Sequence, residues 1–511
     1  ILIWTINFSF KKINKRIYNG GITRRFVVGL IFALLLALGI FGRINQYPLR
    51  WSDAFVFRDD FKSNLALNPI QSFFSTMQFR NSGYDLDLVK KYYPLMSKYL
   101  KVTNSDENKL NFKRRYIAPP GTVKRNVVIV ICESFSMYKS SMSGNKLNTT
   151  PYFNSLCNDG IFFDRCFTPS FGTARGVWAT ITGIPDVEYP NTSSRNPSFV
   201  DQHSILNDYT GYSKYYFIGG SSSWANIRGL LINNILDLNL LEEEDFNAKR
   251  VDVWGISDKR LLLAANDTFV NQKKPFVAVI QTADNHRPYT IPEEDRNEFK
   301  IESYPKDTLY KYGFTDNDEF NAFRYTDFAF KKFMEAAKKE DYFKNTLFVF
   351  VGDHGIRGDM TTEYPKSWTD AGLSIHHVPL LFYAPDFLIP EKIHQVCSQS
   401  DLLPTASALA GISYTNTTMG INLFDTLKTN LLFPHVAFIF DPTIKQIGIV
   451  TDSFIYNHNL LSNKQQVFSM AEGRLPSSAE EKQMSNITTA WYQTARYLLS
   501  NNQKRRIAGN N

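Results

Sequence analysis

Residues able to share a divalent cation stand at the ends of apolar runs. The run from Val127 to Cys132 in NVVIVICES (126–134) stops at Glu133, and LFVFV (347–351) leads into Gly352, Asp353, His354 and Gly355. A carboxylate straight after a wholly buried strand is costly unless it faces a cation or a polar cleft. A carboxylate and an imidazole side by side, aimed by a glycine turn, can ligate one ion, although an Asp capping the next helix beside a surface His fits GDHG as well. Two carboxylates and one imidazole leave an ion a position open to a nucleophile. Thr173 offers one: it follows Gly172 and precedes the helix expected in TPSFGTARGVWATITGIP (168–185). There, N–H groups and the helix dipole favour phosphoryl oxygens. From this stretch alone, a helix cap is the simpler reading of Thr173.

The elements that must position these groups are strands. The two runs above, and FVAVIQT (276–282) leading into Asp284, Asn285 and His286, are continuous and rich in β-branched residues. Such runs suit a parallel sheet covered by helices on both faces. In open α/β sheets ligands bind beyond the carboxyl ends of the strands, so three runs ending in carboxylate or imidazole predict one shared polar site. Helix-like segments at 201–208, 224–240 and 321–339 alternate with the strands, which makes the fold class α/β. After about residue 425 short strands (436–440, 446–452) and a polar final helix (487–500) predict a small C-terminal antiparallel subdomain.

At 511 residues the chain holds two to four units, and 43% hydrophobic with 21% charged residues is ordinary for a globular protein. The net charge of +8 comes from dispersed basic residues, and those near the N-terminus flank an apolar run, which favours a membrane surface over nucleic acid. Four cysteines without a CxxC pair exclude a zinc-finger or disulfide framework, and Cys157 and Cys166 read better as isolated small hydrophobes than as a disulfide.

The uncharged stretch Phe26 to Gly42 is just long enough for a transmembrane helix. Lys11, Lys12, Lys15, Arg16, Arg24 and Arg25 precede it, whereas only Arg43 follows closely, so the positive-inside rule puts the remainder outside the cytoplasm. The chain begins at Ile1, and residues 1–10 read as the end of a preceding membrane helix, making the protein multi-pass. Residues 44–116 read as short amphipathic helices at the membrane surface, or equally as a helical linker packed on the soluble domain, with a polar connector from Lys101 to Arg115. The last residues, NNQKRRIAGNN, read as disordered. The expected organisation is a transmembrane region (1–46), juxtamembrane helices and linker (47–120), a catalytic domain (121–425) and a C-terminal subdomain with its tail (426–511).

Taken together, several motifs resemble the lipoteichoic acid synthase and phosphoglycerol transferase family, in the sulfatase-like branch of the alkaline phosphatase superfamily. They are YPLRWSDAF (47–55), the strand ending in CES, TPYFNSL (150–156), the Thr173 segment, VWGISDKRLL (253–262), TADNHRPY (282–289), RYTDFAFKKF (324–333) and VGDHG (351–355). The resemblance implies an alkaline-phosphatase-like, mostly parallel central sheet flanked by helices. It implies that Glu133, Thr173, Asp353 and His354 bind one metal ion, Mn²⁺ first and Mg²⁺ or Zn²⁺ as alternatives, with Thr173 as nucleophile. His286 matches the family histidine that contacts the substrate phosphate, and Trp224 resembles the substrate-site tryptophan. Near that tryptophan the family carries an Asp and an Arg that hold a glycerol phosphate, whereas this chain has Asn226 and, further on, Arg228.

The implied activity is transfer of a phosphoglycerol head group from a membrane phospholipid to a glycan or glycerol-phosphate acceptor, at the outer side of a bacterial cell membrane and with no nucleic acid partner. A phosphoethanolamine transferase and a sulfatase-like hydrolase are the enzyme alternatives. A sulfatase would carry a Cys or Ser in a C/S-x-P-x-R context, absent at Thr173. An inactive membrane head-group sensor is the alternative outside enzymes. Arg175 is balanced between clamping phosphate and only pairing with a surface carboxylate. His376 and His377 read as structural rather than as a second metal site, and Asp252, Asp258, Asp284 and Asp327 as helix caps or ion-pair partners.

Overall fold

Every residue of β1 (Asn126–Cys132) is buried, and its side chains divide by alternation between two apolar cores, Val127, Ile129 and Ile131 on one face and Val128, Val130 and Cys132 on the other. A strand covered on both faces must be apolar throughout, which is why the run is uninterrupted. The structure is a computed structural model and describes residues 7, 11, 21–42, 47–57, 60–67, 69–80, 83–425, 430–471 and 473–504.

The chain divides into two compact units, residues 1–72 and 73–511. In the first, α1 (Ile22–Phe41) has 20 residues, none of them buried, and a mean hydropathy of 2.1. Among the described residues it is the one helix long and apolar enough to cross a membrane. At about 1.5 Å per residue it spans roughly the hydrocarbon core of a bilayer. It begins four residues before the expected span and so includes Arg24 and Arg25. A 3₁₀ turn (Trp51–Phe57) and α2 (Asp60–Ala66) follow, with Val56, Phe57, Phe61 and Leu65 exposed. The expected end of a preceding helix at 1–10 lies, but for residue 7, outside the described residues.

α3 (Pro69–Met77) runs across the division, and α4 (Leu86–Tyr99) belongs to the second unit. α4 is no surface helix: Val89, Tyr93, Met96 and Tyr99 are buried, and Tyr99 meets Trp491 with ring centroids 4.8 Å apart. The expected polar connector after it is likewise packed, with Leu110 and Phe112 buried and the Arg114 guanidinium donating to the carbonyls of Phe112, Thr418 and Gly420. α4 and the connector thus pack against the rest of the second unit.

The central sheet has nine strands: β1, β2 (Ile161–Phe167), β3 (Ser213–Ile218), β4 (Leu238–Leu241), β5 (Phe276–Gln281), β6 (Thr346–Gly352), β7 (His377–Tyr383), β8 (Glu391–Ile393) and β9 (Cys397–Ser398). Their order is β9-β2-β7-β6-β1-β5-β3-β4, with β8 also paired to β2. β7 runs antiparallel to both its neighbours and the other pairings are parallel, so the sheet is mixed. α5 (Pro151–Asn158), α8 (Asp258–Val270) and α9 (Asn317–Ala337) contribute to the core on one face; α6 (Thr173–Thr182) and α7 (Ile227–Asn234) contribute to the core on the other.

β10 (Val436–Asp441), β11 (Gln446–Thr451), β12 (Phe454–Asn459) and β13 (Gln465–Ser469) form the separate antiparallel sheet. α10 (Ser478–Asn501) starts well before residue 487 because Ser477 and Glu480 make a capping box. The tail expected to be disordered lies, beyond residue 504, outside the described residues. All four cysteines are buried free thiols.

Candidate active site

The parallel neighbours β1 and β6 end together, and their register pairs Cys132 with Gly352. Glu133 and Asp353 therefore emerge side by side. The Asp353 amide donates to the Cys132 carbonyl (3.0 Å), and Asp353 Oδ1 accepts the amides of Ser134 and His354, both at 2.7 Å. Ser134 takes a left-handed φ of 50°, and its Oγ donates to Glu133 Oε1 at 2.8 Å.

His354 is fixed by its other nitrogen. Nδ1 lies 2.8 Å from the Gly355 carbonyl oxygen, which can only accept, so Nδ1 carries hydrogen and the Nε2 of the neutral ring presents a lone pair. That Nε2 is 3.5 Å from Asp353 Oδ2 and 4.0 Å from Glu133 Oε1. The edge of Phe171 packs on the ring at 5.1 Å.

Thr173 opens α6, with Gly172 before it at φ 104°. Its Oγ1 stands 3.2 Å from Glu133 Oε2 and 3.2 Å from His354 Nε2. The four residues that the family resemblance groups together thus meet at the rim of the sheet, where α6 begins.

The donor set fits a divalent cation. Ligand atoms of Glu133, Asp353 and His354 lie within 4.8 Å of one another, and Asp353 Oδ2 is buried with no hydrogen-bond partner. Burial, and then the Asp353 charge, push the Glu133 carboxyl well above the ordinary carboxylate range. Two adjacent buried carboxylates are stable as anions only against positive charge. Carboxylate, imidazole and hydroxyl donors suit Mn²⁺, Mg²⁺ or Zn²⁺.

His286 follows β5 and is tied to this centre through its neighbour: Asn285 Nδ2 donates to the carbonyls of Glu133 (3.0 Å) and Ser134 (3.2 Å). Nothing in the spacing singled out Asn285 or Thr282, whose Oγ1 accepts the Glu133 amide (2.9 Å); both serve through backbone contacts that leave no pattern, and Ser134 was not singled out either.

Trp224 is half-buried on a short turn in which Ala225 and Asn226 have left-handed φ of 45° and 64°. Asn226 is itself buried, and its Nδ2 donates to the Ser194 carbonyl (2.5 Å). Arg228 pairs with Glu242. Arg175 does not reach into the cleft as a phosphate clamp: it is buried, pairs with Asp186 (3.0 Å) and donates to the carbonyls of Asp186, Glu188, Pro190 and Asn191. Two residues past Thr173, the helix has turned its side chain away from the nucleophile's face.

His376 and His377 give Nδ1 and Nε2 to the carbonyls of Thr168 (2.9 Å) and Asp164 (2.7 Å), and burial pushes both imidazoles down to about 4. They are neutral structural groups. The aspartates set aside as caps bind backbone amides: Asp327 those of Tyr152 and Phe153, Asp258 those of Ala283 and Asp284, Asp284 that of Asp258 and Asp252 that of Trp254.

The sequence model of the sulfatase family matches residues 125–412, more than half of the chain and all of the site above. The chain belongs to the sulfatase family. Among curated relatives, the lipoteichoic acid synthase-like YvgJ of Bacillus subtilis is 24% identical over 310 residues, which cover 56% of this chain and 48% of that protein. The chain spans about half the length of the curated relatives it matches. Its fold is that of an alkaline phosphatase superfamily protein from Vibrio parahaemolyticus (TM-score 0.65, 21% identity, 82% of this chain and 98% of that one). The lipoteichoic acid synthase LtaP of Listeria monocytogenes shares it (TM-score 0.63, 18% identity, 80% and 99%).

Proposed function

We propose that this sulfatase-family chain is a membrane-anchored, metal-dependent transferase that moves the phosphoglycerol head group of a membrane phospholipid to a glycan or glycerol-phosphate acceptor outside the cytoplasm. The observation that carries the reading is the position of Thr173 Oγ1, at the N-terminus of α6 and 3.2 Å from both Glu133 Oε2 and His354 Nε2. A hydroxyl with no function beyond capping has no need of a buried carboxylate and an imidazole lone pair at once. The relatives named lipoteichoic acid synthase and the apolar helix α1 support the substrate class and the anchoring.

Glu133, Asp353, His354 and Thr173 would hold a divalent ion, Mn²⁺ foremost, which supplies neutralising charge at the phosphoryl oxygens and eases loss of the hydroxyl proton. Thr173 Oγ1 gives up its proton to solvent and attacks phosphorus. The bond from phosphorus to the diacylglycerol oxygen breaks; that oxygen keeps the bond's electron pair and takes the Nε2 proton of the His286 imidazolium, leaving the neutral ring with its hydrogen on Nδ1. The product is a phosphothreonine diester. The acceptor hydroxyl then attacks the same phosphorus, passing its proton to His286, and the bond to Thr173 breaks with the pair returning to Oγ1, which is reprotonated from solvent. His286 suits both roles because Nδ1 donates to the Arg287 carbonyl (2.9 Å), leaving Nε2 as the exchanging position.

The second reading, transfer of phosphoethanolamine, draws on Asn226 and Arg228 being committed to Ser194 and Glu242, where the family resemblance would have an Asp and an Arg on glycerol phosphate. Both are tested by giving the full chain in lipid vesicles fluorescent phosphatidylglycerol or phosphatidylethanolamine with Mn²⁺. Labelled diacylglycerol from phosphatidylglycerol is expected. Release from phosphatidylethanolamine alone selects the second reading, and release from neither overturns both.

A further inference from the structure

The Trp254 indole ring lies 4.3 Å, centroid to centroid, from the His286 imidazole, tilted by 59°. Its Nε1 donates to the Arg287 carbonyl at 2.6 Å, the same oxygen that accepts His286 Nδ1 at 2.9 Å. One acceptor thus fixes the ring that packs on the histidine and the tautomer of the histidine itself. Neither Trp254 nor the segment around it touches Glu133, Thr173, Asp353 or His354 through any contact described above.

The segment carrying Trp254 is locked between two loops that follow strands of the sheet. On one side, the Ile256 amide donates to the Gly219 carbonyl (2.9 Å). A Cβ on Gly255, at φ 111°, would fall 1.9 Å from the Gly219 oxygen, and one on Gly220 would fall 2.2 Å from the Trp254 oxygen. Backbone lies on backbone there, so the loop leading to Trp224 and the turn bearing Trp254 are seated directly on one another. On the other side, Asp258 and Asp284 exchange amide hydrogen bonds, which fastens the start of α8 to the loop of His286. Trp254 is partly exposed, so its ring is not needed to fill a core.

We propose that Trp254 is a positioning residue for His286: it holds the imidazole with Nδ1 protonated and Nε2 aimed for proton transfer, in register with the Trp224 loop. This rests on the reading of His286 as the group that protonates the leaving alkoxide. A histidine without such support keeps both tautomers and several ring orientations, and general acid catalysis is worth about 100-fold or more.

The test compares two esters in the full chain with Mn²⁺: phosphatidylglycerol, whose alkoxide must be protonated as it leaves, and glycerophospho-4-nitrophenol, whose phenolate leaves without a proton. Trp254→Ala should lower kcat on the lipid about 100-fold with little change in KM, and lower it far less on the nitrophenyl ester. Trp254→Phe, which keeps a ring but not the donor, should fall between. The double variant Trp254→Ala/His286→Ala should be no slower than His286→Ala, because residues acting through one another are non-additive. Equal losses on the two esters, or losses that multiply in the double variant, overturn the proposal. If the wild type cleaves neither ester, the transferase reading fails, and the positioning is judged by ¹⁵N chemical shifts of His286. A single Nδ1-protonated tautomer in wild type that becomes mixed in Trp254→Ala sustains it, and identical tautomers overturn it.

Discussion

Gly176 packs against Asp353 so closely that a Cβ on the glycine would lie 2.3 Å from the Asp353 carbonyl oxygen. The contact brings α6 onto the end of β6 within one turn of Thr173, and it sets the distance between nucleophile and carboxylate. Gly176→Ala must push the helix away from backbone that cannot yield. Overpacking of this kind costs about 1–3 kcal/mol, and a displaced Thr173 loses turnover far beyond what the stability change explains. Thermal melting and diacylglycerol release on the same preparation check this; a stable variant with wild-type turnover would show that the contact does not set the site.

Arg175→Ala separates a structural role from a phosphate clamp. The change leaves Asp186, fully buried, without its cation, and removing one partner of a buried pair costs about 3–5 kcal/mol. The guanidinium also lies 5.9 Å from the Phe440 ring of the C-terminal sheet. Melting temperature should fall sharply while the folded fraction keeps nearly its full turnover. A variant as stable as the wild type with turnover abolished would restore the clamp.

Asp327 gives stability a defined pH dependence. Burial pushes its carboxyl up to about 7 despite the amides of Tyr152 and Phe153, whereas in the unfolded chain it titrates near the ordinary value of about 4. The folded state retains a proton that the unfolded state has released, so this group's contribution is full below about pH 4 and is lost as pH rises to about 7. Asp327→Asn cannot titrate. The melting temperature of the wild type minus that of Asp327→Asn should therefore fall between pH 4 and 7, and a difference that stays flat or rises contradicts the assignment.

Metal binding is measurable without any turnover. An ion that binds only the folded chain stabilises it in proportion to the logarithm of its concentration, so Mn²⁺ should raise the melting temperature and EDTA should reverse the rise. Asp353→Asn should lose most of the response, since Asp353 Oδ2 is the buried oxygen left without a partner. An equal response in this variant would place the ion elsewhere.

How far the fold could be read depended on how strands are buried. β1, β5 and β6 are covered on both faces and showed as continuous apolar runs. β2 has Asp164 and Arg165 at a register shift between Phe163 and Cys166, which breaks the pattern. β4 is four residues long and disappeared into a segment that reads as helix from Trp224 to Leu240. Glu133, Asp353 and His354 were legible because a charge after a buried run is conspicuous. Thr173 needed the family resemblance, since a capping hydroxyl and a nucleophile look alike in sequence. Arg175 stayed open because position next to the nucleophile says nothing of which way a helix turns the side chain, and Gly176 and Asn285 act on backbone atoms.

The central claim is that Thr173 becomes covalently bonded to the transferred phosphoryl group. Mass spectrometry of the peptide containing Thr173, after rapid acid quenching of wild type incubated with phosphatidylglycerol and Mn²⁺ but no acceptor, tests it most directly. A phosphoglycerol adduct on Thr173, absent in Thr173→Ala and without Mn²⁺, is expected. Diacylglycerol release by the wild type with Thr173 unmodified, or undiminished release by Thr173→Ala, would contradict it.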